Sequence, residues 1–128
     1  MLRGVARAAS YIRTGSGLPS YEEQRSAIGA YAAGEGHELV ASYEDLDAPG
    51  ILLYHKPSLK EAINNIKEVE DWEVLVVARP ECVSENDSAV HELVHKFTLY
   101  GNRLECPTHS WDELVAAMKA YRREMSRR

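Results

Sequence analysis

The stretch WEVLVVA, residues 72–78, decides the fold class of this chain. Its apolar core, from Val74 to Val77, is rich in the β-branched residues that favour strands. The run shows no alternation between apolar and polar residues, so both of its faces are expected to be covered. Pro80 follows closely and ends the strand, because proline has no backbone N–H to donate. The stretch therefore predicts a central strand of a parallel sheet that lies between layers of helices.

The segments on either side of this stretch alternate between strand and helix patterns. Further strands are predicted at residues 7–13, 38–43 and 102–106. Each strand is followed by a segment whose apolar residues recur three and four positions apart, which is typical of an amphipathic helix. The order β-α-β-α-β-α-β-α predicts an α/β fold. We expect one three-layer domain over residues 1–128, with helices flanking a four-stranded, mainly parallel sheet.

Local signals mark where the helices begin. Ser20 is a predicted N-cap, and Glu23 three residues later completes a capping box. Pro57 suits the first turn of the second helix, where no backbone donor is needed. Ser110 is predicted to cap the last helix. The apolar stripe of that helix packs either on its own sheet or against a second copy of the chain, and it comprises Trp111, Leu114, Val115, Met118 and Tyr121.

Charge is distributed unevenly along the chain. The net charge of −5 argues against a domain that holds duplex DNA through its overall field. The last seven residues nevertheless carry +3, because four arginines oppose one glutamate there. Arg122 and Arg123 are therefore candidate phosphate contacts, although cations also suit a helix C-terminus that binds no ligand.

The sequence indicates no membrane segment, cofactor or metal. Its apolar runs are too short to span a bilayer and its first residues lack a signal-peptide core, so a cytoplasmic location is expected. Cys82 and Cys106 are expected to be free, partly buried thiols. His91 and His95, four residues apart on a predicted helix, are interpreted as a surface pair because no third ligand is nearby.

The carboxyl ends of the predicted strands carry three short motifs. Ligands of open parallel sheets bind beyond these ends. The first loop reads YIRTGS, residues 11–16, and Gln24 follows in the helix. The second loop contains DLDAPG, residues 45–50, and then KPSL, residues 56–59. The third reads VVARPECVSE, residues 76–85.

Over about residues 7–106, these motifs resemble the catalytic domain of serine recombinases, the resolvase and invertase family. The resemblance implies a resolvase-like fold and a role in DNA strand exchange. Pro49 stands in place of a family serine, and Glu81 in place of an aspartate. The positions that match the family signatures are Tyr11, Arg13, Gln24, Asp45, Gly50 and Pro57.

The position of the family's nucleophile is altered in this chain. In the family, the serine two residues after the first arginine attacks a DNA phosphodiester, and that position here is Gly15. Ser16, one residue later, is the candidate nucleophile, with Arg13 as its catalytic partner. The alternative for Arg13, Asp45 and Lys56 is a retained surface ion cluster without chemistry.

The cations that the family uses are also depleted. Phosphoryl transfer gathers negative charge on the phosphate oxygens, which fixed cations must neutralise. Three family arginine positions are occupied by Lys56, Cys82 and Glu85. Lysine lacks the bidentate fork of arginine, and a glutamate would direct a negative charge at the phosphate. Arg79 lies near the third loop and could substitute for one lost arginine.

Three interpretations follow from this pattern. The first is a degenerate, catalytically inactive serine-recombinase domain that acts as a binding, regulatory or assembly module. Its implied partners are DNA, bound weakly, or a recombinase or regulatory protein, and a homodimer through the last helix is an alternative. The second is an active recombinase or DNA-nicking enzyme that uses Ser16. The third is a flavodoxin-like domain that binds a small ligand beside Asp45 and Asp47. No separate DNA-binding domain is expected.

Overall fold

The predicted order of strands and helices is present in the computed structural model, which describes residues 6–47, 56–68 and 71–127. The predicted α/β fold class is confirmed. A single 3₁₀ turn, Pro80–Cys82, follows the third strand. The strands are β1 (Arg7–Arg13), β2 (Glu38–Asp45), β3 (Val74–Val76) and β4 (Arg103–Glu105), and the helices are α1 (Tyr21–Glu35), α2 (Pro57–Glu68), α3 (Asp87–Tyr100) and α4 (Trp111–Ser126).

The four strands form one parallel sheet in the order β2-β1-β3-β4. Arg13 is paired with Asp45, so β1 and β2 end side by side. The paired part of β3 is shorter than the predicted strand, because only residues 74–76 take part in the sheet ladders. Residues 74–78 are nevertheless all buried, as the apolar run predicted.

Helices cover both faces of the sheet. On one face, α1 contributes Ile28, which packs on a small cluster that includes Ala8, Ile12 and Val76. The other face carries the larger cluster, to which α2, α3 and α4 all contribute, and its members include Leu59, Ile63, Leu93, Phe97, Leu114 and Met118. Strand residues point alternately to the two clusters, as the pleat of a strand requires.

The predicted helix caps form. Ser20 and Glu23 make the capping box of α1, and Ser110 makes a second one with Glu113 at the start of α4. Gly36 ends α1 with a φ of 73°, a left-handed conformation that glycine adopts without steric cost. Local sequence signals therefore set where these helices begin and end. The helix ends in turn position the loops that connect the helices to the strands.

The expected thiols are present, since Cys82 and Cys106 are both free and buried. Within the described residues, no helix combines the length and the apolar character that crossing a bilayer requires.

Candidate functional site at the strand ends

Arg13 ends β1, and its side chain is bound to the loop that follows β3. Its Nε donates a hydrogen bond to the carbonyl oxygen of Cys82 at 3.0 Å, and its Nη2 donates to that of Glu81 at 2.6 Å. The residue is only 1% exposed. The guanidinium therefore holds two strand-end loops together through backbone carbonyls and lies beneath the molecular surface.

Gln24 closes the loop between β1 and α1. It is fully buried, and its Nε2 donates to the carbonyls of Arg13 at 2.7 Å and Pro19 at 2.9 Å. Its Oε1 accepts from the backbone N–H of Arg13 at 3.3 Å. One side-chain amide thus satisfies both backbone groups of Arg13 and fixes the two ends of the loop that contains Ser16.

Ser16 lies on the outside of a tight turn. The N–H of Leu18 donates to the carbonyl of Gly15 at 3.2 Å, and Gly17 has a φ of 81°. A positive φ at the third residue of a turn is the requirement of a type II turn, which explains the glycine there. Ser16 is exposed and Gly15 half-buried. The candidate hydroxyl is therefore on the surface of the loop, whereas Arg13 is below it.

Asp45 ends β2 and caps the N-terminus of α2. Its two carboxylate oxygens accept from the N–H of Ser58 at 2.9 Å and of Leu59 at 3.0 Å. The Tyr11 hydroxyl donates to Oδ2 at 2.9 Å. Burial and the neighbouring carboxylate raise the pKa of Tyr11, so this hydroxyl keeps its proton and acts as a donor. Asp45 therefore accepts hydrogen bonds from two N–H groups in the first turn of α2, where the backbone donors have no partner within the helix.

Lys56 is enclosed beside these residues. It is 0% exposed, and its pKa is lowered to about 8, first by burial and then by the positive charge of Arg13. The carboxylates of Asp45 and Glu85 act in the opposite direction. The charges of Arg13, Asp45 and Glu85 therefore all act on Lys56.

The third loop combines buried and exposed residues. Cys82 is 0% exposed, and burial raises the pKa of its thiol. The Cys82 side chain belongs to the larger core cluster. Arg79, Glu81 and Glu85 are exposed, and Ser84 is buried, its Oγ accepting from the N–H of Asn86 at 3.1 Å.

The residues predicted from the first two motifs and from α4 lie in different environments. Arg13, Gln24, Asp45 and Lys56 are brought together, and each is buried, so Arg13, Asp45 and Lys56 do not lie on the surface as the ion-cluster alternative supposed. Pro49 and Gly50 of the second motif lie outside the described residues. Arg122 and Arg123 are exposed on α4 and line a groove of about 390 Å³ whose other lining residues are His95, Thr98, Met118 and Lys119.

Sequence reasoning missed the acceptors of Arg13. These are main-chain carbonyls of Glu81 and Cys82, and every residue type has such a group, so no sequence signal could have identified them. It also missed that Asp45 is a helix cap, because the capped N–H groups lie 13 and 14 residues further along the chain.

A parallel sheet with polar side chains converging at the carboxyl ends of adjacent strands defines a class of α/β domains whose sites lie at that edge. Within this class, the sequence matches the family described as "Resolvase, N terminal domain" over residues 8–128. The chain belongs to this family. No curated protein shows significant similarity to it.

Solved structures with the same fold include three recombinase domains. The N-terminal catalytic domain of TP901-1 integrase has a TM-score of 0.75 and 22% identity, with 93% of this chain and 98% of that chain covered. The C-terminal catalytic domain of ISC1926 TnpA, an IS607-like serine recombinase, has a TM-score of 0.67 and 18% identity, with 90% and 79% covered. A resolvase family site-specific recombinase from Streptococcus pneumoniae has a TM-score of 0.67 and 20% identity, with 94% and 91% covered.

Proposed function

We propose that this chain is a serine-recombinase-type domain that does not cleave DNA efficiently and acts by binding within a recombination complex. Membership of the resolvase family supports DNA or another recombinase chain as the partner. The same membership favours the recombinase interpretations over a generic domain that binds a small ligand.

The observation that carries the proposal is the engagement of Arg13. A cation that stabilises a phosphoryl transition state must direct its donors at the phosphate oxygens. Here the donors Nε and Nη2 of Arg13 bind the carbonyls of Cys82 and Glu81 instead. Loss of one preorganised donor lowers a rate by about 10²–10³. A domain that has redirected this arginine loses most of its capacity for cleavage.

The residues at the other family arginine positions support the same proposal. Lys56 is enclosed, and its lowered pKa of about 8 reduces the fraction that is charged as the pH rises past neutrality. Cys82 carries no positive charge and faces the core. Glu85 adds a negative charge that acts on Lys56. Of the candidate cations at the strand ends that the structure describes, Arg13 and Lys56 are buried and Arg79 is exposed.

A cleavage assay tests the proposal. Wild-type protein and Ser16→Ala are incubated with supercoiled plasmid and with duplexes of random sequence, and an intact serine recombinase on its own site serves as the positive control. We expect neither nicking nor a covalent protein–DNA adduct above the Ser16→Ala background. An adduct that maps to Ser16 and disappears in Ser16→Ala would show that the domain is an active enzyme.

The second candidate is that active enzyme, and the exposure of Ser16 favours it. The serine lies on a turn between Gly15 and Gly17, so the loop can adopt backbone conformations closed to other residues. This candidate requires Arg13 to leave its carbonyl acceptors when DNA binds. It predicts that Ser16→Ala and Arg13→Lys both abolish cleavage.

Binding is tested separately, through the exposed arginines of α4. We expect weak duplex binding at low salt that weakens steeply as salt is added. The double variant Arg122→Gln, Arg123→Gln should lower the slope of log affinity against log salt by about 1–2. The matched control, Arg25→Gln with Lys60→Gln, removes two exposed charges elsewhere. Equal effects of the two double variants would exclude α4 as the DNA contact.

A further inference from the structure

A partly buried polar cluster lies away from the strand-end site, between the end of α1, the start of β2 and the end of β4; His37 and Glu105 are buried and Glu35 is exposed. His37 Nε2 is 2.8 Å from Glu105 Oε1. Tyr31 donates to the same oxygen at 2.9 Å, and Arg103 Nε donates to the other carboxylate oxygen at 2.8 Å. Glu35 completes the group, since one ligand atom from each of Glu35, His37 and Glu105 lies within 4.8 Å of the others.

His37 carries an unsatisfied atom. Its side chain is 1% exposed, and among the described residues its Nδ1 is the buried side-chain nitrogen or oxygen that has no hydrogen-bond partner. A neutral ring that donates from Nε2 buries a bare lone pair at Nδ1, and a protonated ring buries an unpaired N–H. Buried polar atoms of this kind are rare in folded proteins because each loses its hydration without compensation.

The neighbouring charges suit a cation. The adjoining groove of about 570 Å³ is lined by Glu35, Glu73, Glu105 and Asp112, against the single cation Arg103 among its described lining residues. The groove provides a path for a metal ion and room for its water ligands.

We propose that Glu35, His37 and Glu105 bind a divalent transition metal ion, for which Zn²⁺ is the first candidate. One imidazole and two carboxylates form a ligand set that suits Zn²⁺ and its neighbours, whereas Mg²⁺ and Ca²⁺ prefer oxygen ligands alone. Water from the groove completes the coordination.

Either ring nitrogen gives a chemically consistent site. Coordination through Nδ1 satisfies the orphaned atom and keeps the Nε2 hydrogen bond to Glu105, which then orients the ring, while Glu35 and water are the other ligands. Coordination through Nε2 makes Glu105 a direct ligand and needs only a small opening of the 2.8 Å contact. In both cases the ion connects the end of α1 with the end of β4, either directly or through His37, so binding stabilises the folded chain.

The sequence pattern gave no indication of this site. Glu35 and His37 are neighbours, but Glu105 lies 68 residues after His37 and joins them only because α1 covers the face to which β4 contributes this side chain. The site shares no residue with the strand-end cluster.

The test is a metal titration of the full chain. Metal-free protein is titrated with Zn²⁺ by calorimetry and with Co²⁺ by absorption spectroscopy. We expect one saturable site, a rise in the melting temperature with Zn²⁺ concentration and a shift of the His37 ring signals in NMR spectra. The Co²⁺ spectrum should lack thiolate charge-transfer bands, since Cys82 and Cys106 are not ligands in the proposed site.

Variants identify the ligands. Glu35→Gln changes an exposed residue and should weaken Zn²⁺ binding at least 10-fold without loss of fold, whereas Glu38→Gln, which removes the same charge beside His37, should change it less than twofold. All titrations are repeated with His91→Gln, because His91 and His95 form a rival surface pair. The absence of saturable binding, equal affinities of the two glutamate variants, or loss of binding in His91→Gln would each overturn the proposal.

Discussion

Single polar residues, fully buried, hold the strand-end loops in place. Gln24 shows how far one side chain can reach, since its amide satisfies the N–H and carbonyl of Arg13 and the carbonyl of Pro19. A glutamine is longer than an asparagine and can bridge a strand end and a loop from the first turn of a helix. Gln24 therefore closes the loop between β1 and α1.

Gln24→Met tests this role of the glutamine. The substitution keeps length and volume but leaves three backbone groups, two of them buried, without their partner, so the free energy of unfolding should fall by about 2–3 kcal/mol. Urea denaturation provides the measurement. Glu22→Met, at an exposed position on the same helix, should change it by less than about 0.5 kcal/mol. A Gln24→Met protein as stable as this control would show that Gln24 does not hold the loop in place.

Lys56 makes stability depend on pH. Its pKa is about 8 in the folded chain and near 10.5 when unfolded, so from pH 8 upward the folded chain releases this proton first. The free energy of unfolding then rises with pH across this interval, relative to a variant that lacks the group. The free energy of unfolding of the wild type, minus that of Lys56→Met, should therefore rise between pH 7.5 and about pH 9.5.

The measurement is urea denaturation of both proteins at several pH values, with Lys60→Met as the control because Lys60 is exposed on the same helix. The difference between wild type and Lys60→Met should stay constant with pH. A constant difference for Lys56→Met as well would mean that Lys56 titrates normally in the folded chain.

At the scale of the elements, α2 depends on a cap supplied by another element. Pro57 begins the helix, and Asp45 at the end of β2 accepts from the N–H groups of Ser58 and Leu59. Tyr11 on β1 holds the same carboxylate. One aspartate therefore couples the two strand ends to the helix that follows them.

Asp45→Ala should destabilise the fold by about 2–4 kcal/mol, because it removes the cap and leaves the Tyr11 hydroxyl buried without its acceptor. Tyr11→Phe removes one hydrogen bond and should cost about 1 kcal/mol. The effects should not add in the double variant, since both remove the same contact. Denaturation of the four proteins measures this coupling, and strictly additive losses would show that the two side chains act independently.

The sequence predicted elements far better than it predicted contacts. The apolar run at residues 72–78, the Ser20 capping box and Pro57 each carry a local signal that tertiary structure did not overturn. Convergence of Arg13 and Asp45 was also predictable, because parallel strands end at one edge. The burial of Lys56 was not, since lysine is usually exposed and its enclosure depends on how the elements pack.

At the scale of the whole molecule, the question is whether the apolar stripe of α4 packs on its own domain or against a second copy of the chain. The sequence left both open, because an apolar stripe has the same pattern whether it covers its own sheet or a second copy. In the structure, Leu114 and Met118 are buried in the larger core cluster, and Trp111 and Val115 pack against it. The stripe is therefore engaged within the chain, so it stabilises the fold.

Leu114→Ala tests this assignment. Leu114 is 6% exposed, and truncating a buried leucine leaves a cavity, so the free energy of unfolding should fall by about 2–4 kcal/mol. Met125→Ala, on the same helix at a residue that is 46% exposed, should change it by less than about 0.5 kcal/mol. Light scattering on both variants should give the molar mass of the wild type. If Leu114→Ala keeps its stability and instead splits an oligomer into single chains, the stripe pairs two copies and α4 is an assembly helix.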